Sequence, residues 1–289
     1  MSTLRGIVSL LLLTLTTLLW GLPLLLMTVV KLITPGHRLR LAVLRVLNAI
    51  ALNWIGLNLW WMRHWLKPRL EIELPEGLSR QHGWLVLSNH RSWTDIFVLF
   101  FALHRRIPMP RFFLKRQLIW IPIVGLAWWA LEFPFMHRMT AAQRARHPHL
   151  ARRDQQATER MCQRAREMPI AIFNFVEGTR FTPAKHAAQD SPYRHLLKPR
   201  AGGVAQVLNL LGDQLAGILD VTLHYDNPRP TFWGYLCGRE ERIVMHTRLL
   251  PVEDWMPGGN YQDNASDKEH FHTWINALWH QKDDRLSRF

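Results

Sequence analysis

The sequence predicts an α/β fold, with a mostly parallel central sheet flanked by helices and an N-terminal membrane-anchoring helical segment. Three observations lead to it. Residues 6–33 form an apolar run with a single charge, Lys31, near its end. From residue 69 onward, short apolar runs alternate with longer amphipathic or polar stretches, as strands linked by crossover helices do. Two of those runs end in polar clusters, "SNHRSWTD" and "EGTR", at the carboxyl ends of strands where open α/β sheets bind ligands. Residues 1–66 are therefore expected to be the anchor and residues 67–289 the α/β domain.

The first run, "GIVSLLLLTLTTLLWGLPLLLMTVVKLI", exceeds the ~20 apolar residues that cross a bilayer core. It is too long for the apolar region of a cleaved signal peptide and has no A-x-A-like site, so a retained helix is expected, with a possible kink at Pro23. Residues 39–66 are also apolar but are interrupted by Arg45, Asn48, Asn53 and Asn58. Trp54, Trp60, Trp61 and Trp65 crowd their second half. That pattern fits either a second span or a helix lying in the interface. Arg5 precedes the first helix, whereas Lys31, Arg38, Arg40 and Arg45 follow it, which favours a cytoplasmic start to the second segment. A third apolar stretch, residues 118–136, carries Pro122, Gly125, Glu132 and Pro134, which argue for a packed helix-and-turn element that dips into lipid rather than a span.

In the second part, "RLEIEL" (69–74) alternates with period two and reads as a strand, and "GWLVLS" (83–88) as a buried one. "TDIFVLFFALH" (94–104) is long enough for a buried helix, and residues 144–168, arginine-rich after Pro148, for a solvated or membrane-facing one. "PIAIFNFVEG" (169–178) is a strand stopped by Gly178. Residues 182–198 read as an exposed loop over or beside the site. A glycine-rich turn and helix (199–214), a strand (215–225), an edge strand (242–250) and an amphipathic helix (267–286) complete the chain.

Lys and Arg total 36 against 22 Asp and Glu, a net charge of +14, which suits an anionic partner. The 14 tryptophans and the apolar N-terminus favour anionic membrane lipids, and the absence of a basic-aromatic binding motif disfavours nucleic acid. The two cysteines, Cys162 and Cys237, form neither a disulfide framework nor a zinc motif.

The chemistry centres on the two clusters. A neutral histidine can take a proton from an alcohol, and a carboxylate on its other nitrogen fixes the tautomer that does so. His90 in the turn and Asp95 in the first turn of the next helix have the spacing for that pairing. The same stretch fits a capping box, Ser92-Trp93-Thr94-Asp95, in which Asp95 serves only backbone N–H groups. In "EGTR", Arg180 offers a planar fork for a phosphate, with Thr179 and backbone N–H groups in support. The plain alternative is a surface turn with a Glu–Arg pair.

Together these residues resemble the glycerophosphate and lysophospholipid acyltransferase family. Its first motif is matched by Asn89-His90-Arg91-Ser92-Trp93-Thr94-Asp95, and its acidic-glycine motif by Phe175-Val176-Glu177-Gly178-Thr179-Arg180. Lys115, Leu118, Pro122, Gly125 and Arg138 follow the second block in order, and "ILDVTLHY" stands where the fourth begins. Many members have proline where Val176 stands, and an Ile-Asp pair at Met136 and His137. The long segment after Glu177 is similar to the branch of lysocardiolipin and lysophosphatidate acyltransferases.

The resemblance implies transfer of a fatty acyl group from acyl-CoA or acyl carrier protein to the hydroxyl of a lysophospholipid. The acceptor it favours is 1-acylglycerol-3-phosphate, the alternative being remodelling of another head group; a non-catalytic scaffold would leave the ordered motifs unexplained. It implies no metal, no cofactor beyond the acyl donor and no acyl-enzyme. His90 would act as base and Asp95 would orient it. Lys115, Arg138 and Arg180 would hold the phosphate, and Glu177, Gly178 and Thr179 would organise the pocket. The expected location is a bacterial inner membrane, with the catalytic domain on the cytoplasmic side.

Overall fold

The computed structural model describes residues 2–137, 143, 146–240, 242–259, 261 and 264–289. Two long helices come first, α1 (Ser2–Ile33) and α2 (His37–Trp61), the latter continued by a π-helical turn over Met62–Leu66. Next are β1 (Arg69–Glu73), β2 (Gly83–Ser88), α3 (Thr94–Leu103) and the short strands β3 (Pro110–Phe112) and β4 (Leu114–Lys115). They lead to α4 (Val124–Ala130), β5 (Phe135–Met136), α5 (Pro148–Glu167), β6 (Ala171–Phe175) and α6 (Pro183–Ala188). The chain closes with α7 (Ala201–Leu211), β7 (Leu215–Tyr225), α8 (Phe232–Leu236), β8 (Arg242–Leu250) and α9 (Ala265–Leu286).

These elements gather into two compact units that do not follow chain order. The first holds Met1–Lys67, Arg111–Arg164 and Leu236–Gly238, and the second the remainder.

In the first unit α1 and α2 form an antiparallel hairpin across Thr34-Pro35-Gly36. Near one end Trp65 Nε1 donates to Ser9 Oγ at 3.1 Å, and the Arg5 guanidinium donates to the Trp65 carbonyl. Two of the asparagines that interrupt the apolar run of α2, Asn48 and Asn58, turn inward, whereas Asn53 is exposed. Asn58 Oδ1 accepts from Thr16 Oγ1 and Trp61 Nε1, both at 2.9 Å, and Asn48 Oδ1 accepts from Arg111 at 2.8 Å. Burying these amides with partners costs little, whereas leaving them bare in an apolar setting would cost kilocalories. By length and composition both helices could cross a membrane. Along α1 leucines such as Leu22, 71% exposed, face outward without protein cover, a surface that calls for an apolar surrounding.

The third apolar stretch packs onto α1. Lys31 Nζ reaches the Ala130 carbonyl and Glu132 Oε1, each at 2.7 Å. Gly21 permits the approach, because a Cβ there would lie 2.7 Å from Ile123 Cγ2. Trp120 stays 85% exposed.

In the second unit the sheet runs in the order β1-β8-β7-β2-β6, and Pro110, the last residue of its segment, opens β3 beyond β6. β6, β2 and β7 are mutually parallel, with Ser88 opposite Phe175 on one side and Val221 on the other. β8 runs antiparallel to β7, and β1 parallel to β8. The sheet is therefore mixed but mostly parallel, as expected. The expected edge strand is not one: β8 lies inside the sheet, and β1 takes the edge. Its five buried residues in succession, Ile243–Thr247, reflect neighbours on both sides.

Trp84, Leu85, Val86 and Leu87 in β2, Ile172 in β6 and Ile218, Leu219 and Leu223 in β7 are essentially inaccessible. Val98, Leu99 and Leu103 of α3, Val204, Val207 and Leu208 of α7, and Ile275 and Trp279 of α9 complete this core. Residues 182–198 depart from the expected exposed loop. They contain α6 and then bury Tyr193, Leu196 and Leu197. The Leu196-Leu197 pair gives an otherwise polar segment something to insert, and Trp279 Nε1 donates to the Leu197 carbonyl at 3.0 Å.

Candidate active site

Because β6, β2 and β7 are parallel, the segments after β2 and β6 and the last residue of β7 emerge on one edge of the sheet. The first link is Asn89, fully buried directly after β2. Its side-chain amide donates to the Leu223 carbonyl at 2.9 Å and accepts from the Leu223 N–H at 2.8 Å, copying a peptide group. That bridge holds the next residue, His90, beside β7. A backbone bond from Val176 N–H to the Ser88 carbonyl (3.1 Å) ties the end of β6 to β2, and one from Phe181 N–H to the His90 carbonyl (2.7 Å) joins the two polar loops. The convergence expected of the two clusters is thus built by backbone bonds.

His90 Nδ1 lies 2.7 Å from Asp95 Oδ2, and the imidazole stacks on Phe175 with centroids 4.0 Å apart. Oδ2 also accepts from the Arg91 N–H at 2.7 Å and the Ser92 N–H at 3.0 Å. The other oxygen, Oδ1, accepts from the Tyr225 hydroxyl at 2.6 Å. Asp95 is wholly buried, while the His90 side chain keeps 14% exposure. An ionised Asp95 accepts only, so the Nδ1 proton belongs to His90, and Nε2 is left with a lone pair. A stacked, oriented imidazole with a free Nε2 is equipped to accept a proton from an alcohol. The carboxylate that orients His90 thus also holds the two backbone N–H groups of the turn before α3, although neither bond is an N-cap of the helix.

The loop after β6 is shaped by Gly178, whose φ of +68° lies in the left-handed region and whose missing Cβ would sit 2.9 Å from Arg200 Cδ. Glu177 is 1% exposed and does not form the surface pair with Arg180 that a plain turn would show. Its Oε1 accepts from the Leu197 N–H at 3.3 Å, while Oε2 is buried without a partner. Burial pushes its carboxyl up to about 8, against the Leu197 and His90 N–H groups and the Arg91 charge, so it is largely neutral at pH 7. Thr179 Oγ1 accepts from Lys185 Nζ at 2.7 Å. The exposed Arg180 guanidinium stands 5.5 Å from the Trp93 ring centre, and Arg91 stands 4.6 Å from that of Phe181. Arg91, Arg180 and Lys185 thus surround these loops with positive charge.

Residues 69–225, more than half of the chain and including every residue of this arrangement, match the family described as Acyltransferase. The chain belongs to the acyltransferase family. Among its relatives is the human 1-acyl-sn-glycerol-3-phosphate acyltransferase delta, 27% identical over 213 residues, which cover 69% of this chain and 51% of the relative. The mouse 1-acyl-sn-glycerol-3-phosphate acyltransferase gamma is 30% identical over 178 residues, 58% of this chain and 43% of its own. The chain spans about half the length of these relatives. Among solved structures, the 1-acyl-sn-glycerophosphate (LPA) acyltransferase PlsC of Thermotoga maritima shares the fold. Its TM-score is 0.52 at 12% identity, with 98% of each chain covered.

Of the site residues expected of this acyltransferase, the structure brings together His90, Asp95, Glu177, Gly178, Thr179 and Arg180. Lys115, exposed on β4, belongs to the first unit, and Arg138 lies outside the described residues. His137, at the position where many family members carry an acid, instead reaches one: its Nδ1 is 2.7 Å from Asp154 Oδ1. Sequence reasoning assigned no role to Asn89, Phe175, Lys185 or Tyr225. The contacts of Asn89, Phe175 and Tyr225 join positions far apart in the chain, which no local spacing announces, whereas Lys185 reaches back only six residues to Thr179.

Proposed function

We propose that this acyltransferase is a membrane-bound enzyme that moves a fatty acyl group from acyl-CoA or acyl carrier protein to the hydroxyl of a lysophospholipid. The acceptor we favour is 1-acylglycerol-3-phosphate, giving phosphatidate. The observation that carries this reading is the His90–Asp95 pair at 2.7 Å, with Nε2 unencumbered beside the loop of Glu177 to Arg180. The names of the delta and gamma relatives support the choice of acceptor.

In this reading His90 Nε2 removes the proton from the acceptor hydroxyl while its oxygen attacks the thioester carbonyl carbon. The tetrahedral intermediate collapses, the carbon–sulfur bond breaks, and the thiolate takes the proton back from His90. Asp95 stabilises the imidazolium between the two transfers. Arg180, with Lys115 and Arg138 by motif order, would meet the phosphate. The neutral Glu177, Gly178 and Thr179 would shape the pocket wall.

The exposed apolar face of α1 supports residues 1–66 as the anchor and residues 67–289 as the catalytic part. We place catalysis on the cytoplasmic face of a bacterial inner membrane, with α2 lying in the interface rather than crossing; the basic residues after α1 support a cytoplasmic start to α2 and anionic lipids as its neighbours.

The test is purified protein in micelles, assayed with a panel of lysophospholipids against acyl-CoA and acyl carrier protein donors. Acylation of 1-acylglycerol-3-phosphate that disappears in His90→Ala is expected. Turnover of other head groups alone would make the enzyme a remodelling acyltransferase, and full activity in His90→Ala would remove His90 from the chemistry.

A further inference from the structure

The last residue of β7 holds the unused oxygen of the dyad's acid. Tyr225 is 3% exposed, and its hydroxyl donates to Asp95 Oδ1 at 2.6 Å across 130 residues of chain. Oδ2 is already filled by His90 Nδ1, Arg91 N–H and Ser92 N–H, so this bond completes the coordination of the carboxylate. Without it, Asp95 could rotate about its terminal torsion, which is broad for a carboxylate. Tyr225 is itself fixed, because the Asn89 bridge clamps β7 at Leu223, two residues earlier.

We propose that Tyr225 is a positioning residue for the proton transfer: its hydroxyl locks Asp95 against His90 and, by drawing on the carboxylate's charge, sets how readily His90 takes a proton. The proposal rests on the reading of His90 as the base. A carboxylate that shares its charge with a second donor attracts the imidazolium proton less, so Tyr225 holds the basicity of His90 down.

The other charged and titratable groups facing this chain are Arg91, Glu177, Glu240 and Tyr235. Burial and the neighbouring Asp95 both raise the Tyr225 pKa well above 10, so the hydroxyl remains a donor throughout the working range. Arg91 keeps its charge across that range, and Glu177, pushed up to about 8 by burial, is the neighbour whose own ionisation would enter the readout. Glu177→Gln is therefore the background in which the effect is read cleanly.

The experiment is NMR titration of the His90 ring in full-length protein in micelles, with the pH profile of kcat/KM measured alongside. Tyr225→Phe, in wild-type and Glu177→Gln backgrounds, is expected to raise the His90 pKa by ~0.5–1 unit. The acid limb of kcat/KM should move by the same amount, with kcat reduced about tenfold and the acceptor KM little changed. A second variant carries 3-fluorotyrosine at position 225, which keeps the shape but donates more strongly, and it should move the His90 pKa downward. Opposite shifts from the two variants are the signature of a tuned hydrogen bond, since a merely structural role predicts no such reversal. A His90 pKa unchanged in both variants, or moved the same way by both, would overturn the proposal. The NMR readout needs no turnover, so a protein inactive on every lysophospholipid would defeat the proposed function while leaving the Tyr225 test intact.

Discussion

At Asp95 a single oxygen, Oδ2, accepts from the His90 ring and from two backbone N–H groups, so helix entry and histidine orientation share one geometry. Asp95→Asn and Asp95→Ala should therefore part company. An asparagine oxygen can still accept from the backbone N–H groups, so unfolding should change little. The negative charge beside the imidazolium is lost, however, and kcat should fall by ~10²–10⁴. Alanine should lose the bonds to the Arg91 and Ser92 N–H groups as well, a further ~1 kcal/mol or more in stability. Matched thermal melts and rates check this, and equal melting losses would return Asp95 to a purely structural role.

At Glu177 the prediction concerns pH. Its carboxyl titrates near 4.5 when unfolded and near 8 when buried, so between those values the folded protein keeps a proton that the unfolded chain has released. Stability should decline as pH rises from about 4.5 to about 8 and level off above that. Glu177→Gln should shrink the melting-temperature difference between pH 5 and pH 8, and an undiminished difference would count against a neutral, buried Glu177. His90, Asp95 and Glu177 were legible because their motifs are local. Asn89 and Tyr225 gained their roles only from partners 134 and 130 residues away, pairings that no single-sequence pattern encodes.

Among the elements, α9 shows how a plain amphipathic reading can miss a buried charge. Lys282 is inaccessible, and its Nζ reaches Asp220 Oδ1 at 2.6 Å, the Val221 carbonyl at 2.5 Å and Thr222 Oγ1 at 3.3 Å. Arg248 shares Asp220 at 2.7 Å. Breaking a buried pair strands the remaining charge, so Lys282→Ala should destabilise by ~3–5 kcal/mol, measured by chemical or thermal unfolding. A loss below about 1 kcal/mol would show that Arg248 alone suffices.

Five strands, β1, β2, β6, β7 and β8, were by contrast legible nearly to the residue, since continuous runs such as "WLVL" have no other resting place than a sheet covered on both faces. The two- and three-residue strands β3, β4 and β5 are too short to show a period and escaped, as did the order of the sheet. β8 looks like an edge because Arg242, Thr247 and Arg248 are polar, yet Arg242 and Arg248 each find a carboxylate, Glu71 and Asp220. Loop 182–198 misled for the converse reason, because two leucines outweighed many polar neighbours.

Across the whole molecule the decisive feature is that Arg111–Arg164 packs in one unit with the N-terminal hairpin. A chain starting at residue 67 would expose the partners of Asn48 and Lys31, namely Arg111 and Glu132, along with the apolar surface around them. Such a truncation should aggregate without detergent, as size-exclusion chromatography would show. A monodisperse, active truncation would mean that the hairpin serves only as a tether. The net charge of +14 predicts binding to vesicles containing anionic lipid, weakening as salt is raised.

The Lys31–Glu132 bond also imposes an order in time. The two residues are 101 positions apart, so at ~5–20 residues per second the ribosome delivers Glu132 some 5–20 seconds after Lys31. Throughout that interval the nascent hairpin carries an ammonium at the end of its first helix whose native partner, Glu132, has yet to be made. In the membrane anchor proposed above, that end of the helix stays at the lipid headgroups until its partner emerges, which gives the hairpin its depth before the rest of the chain has a fold.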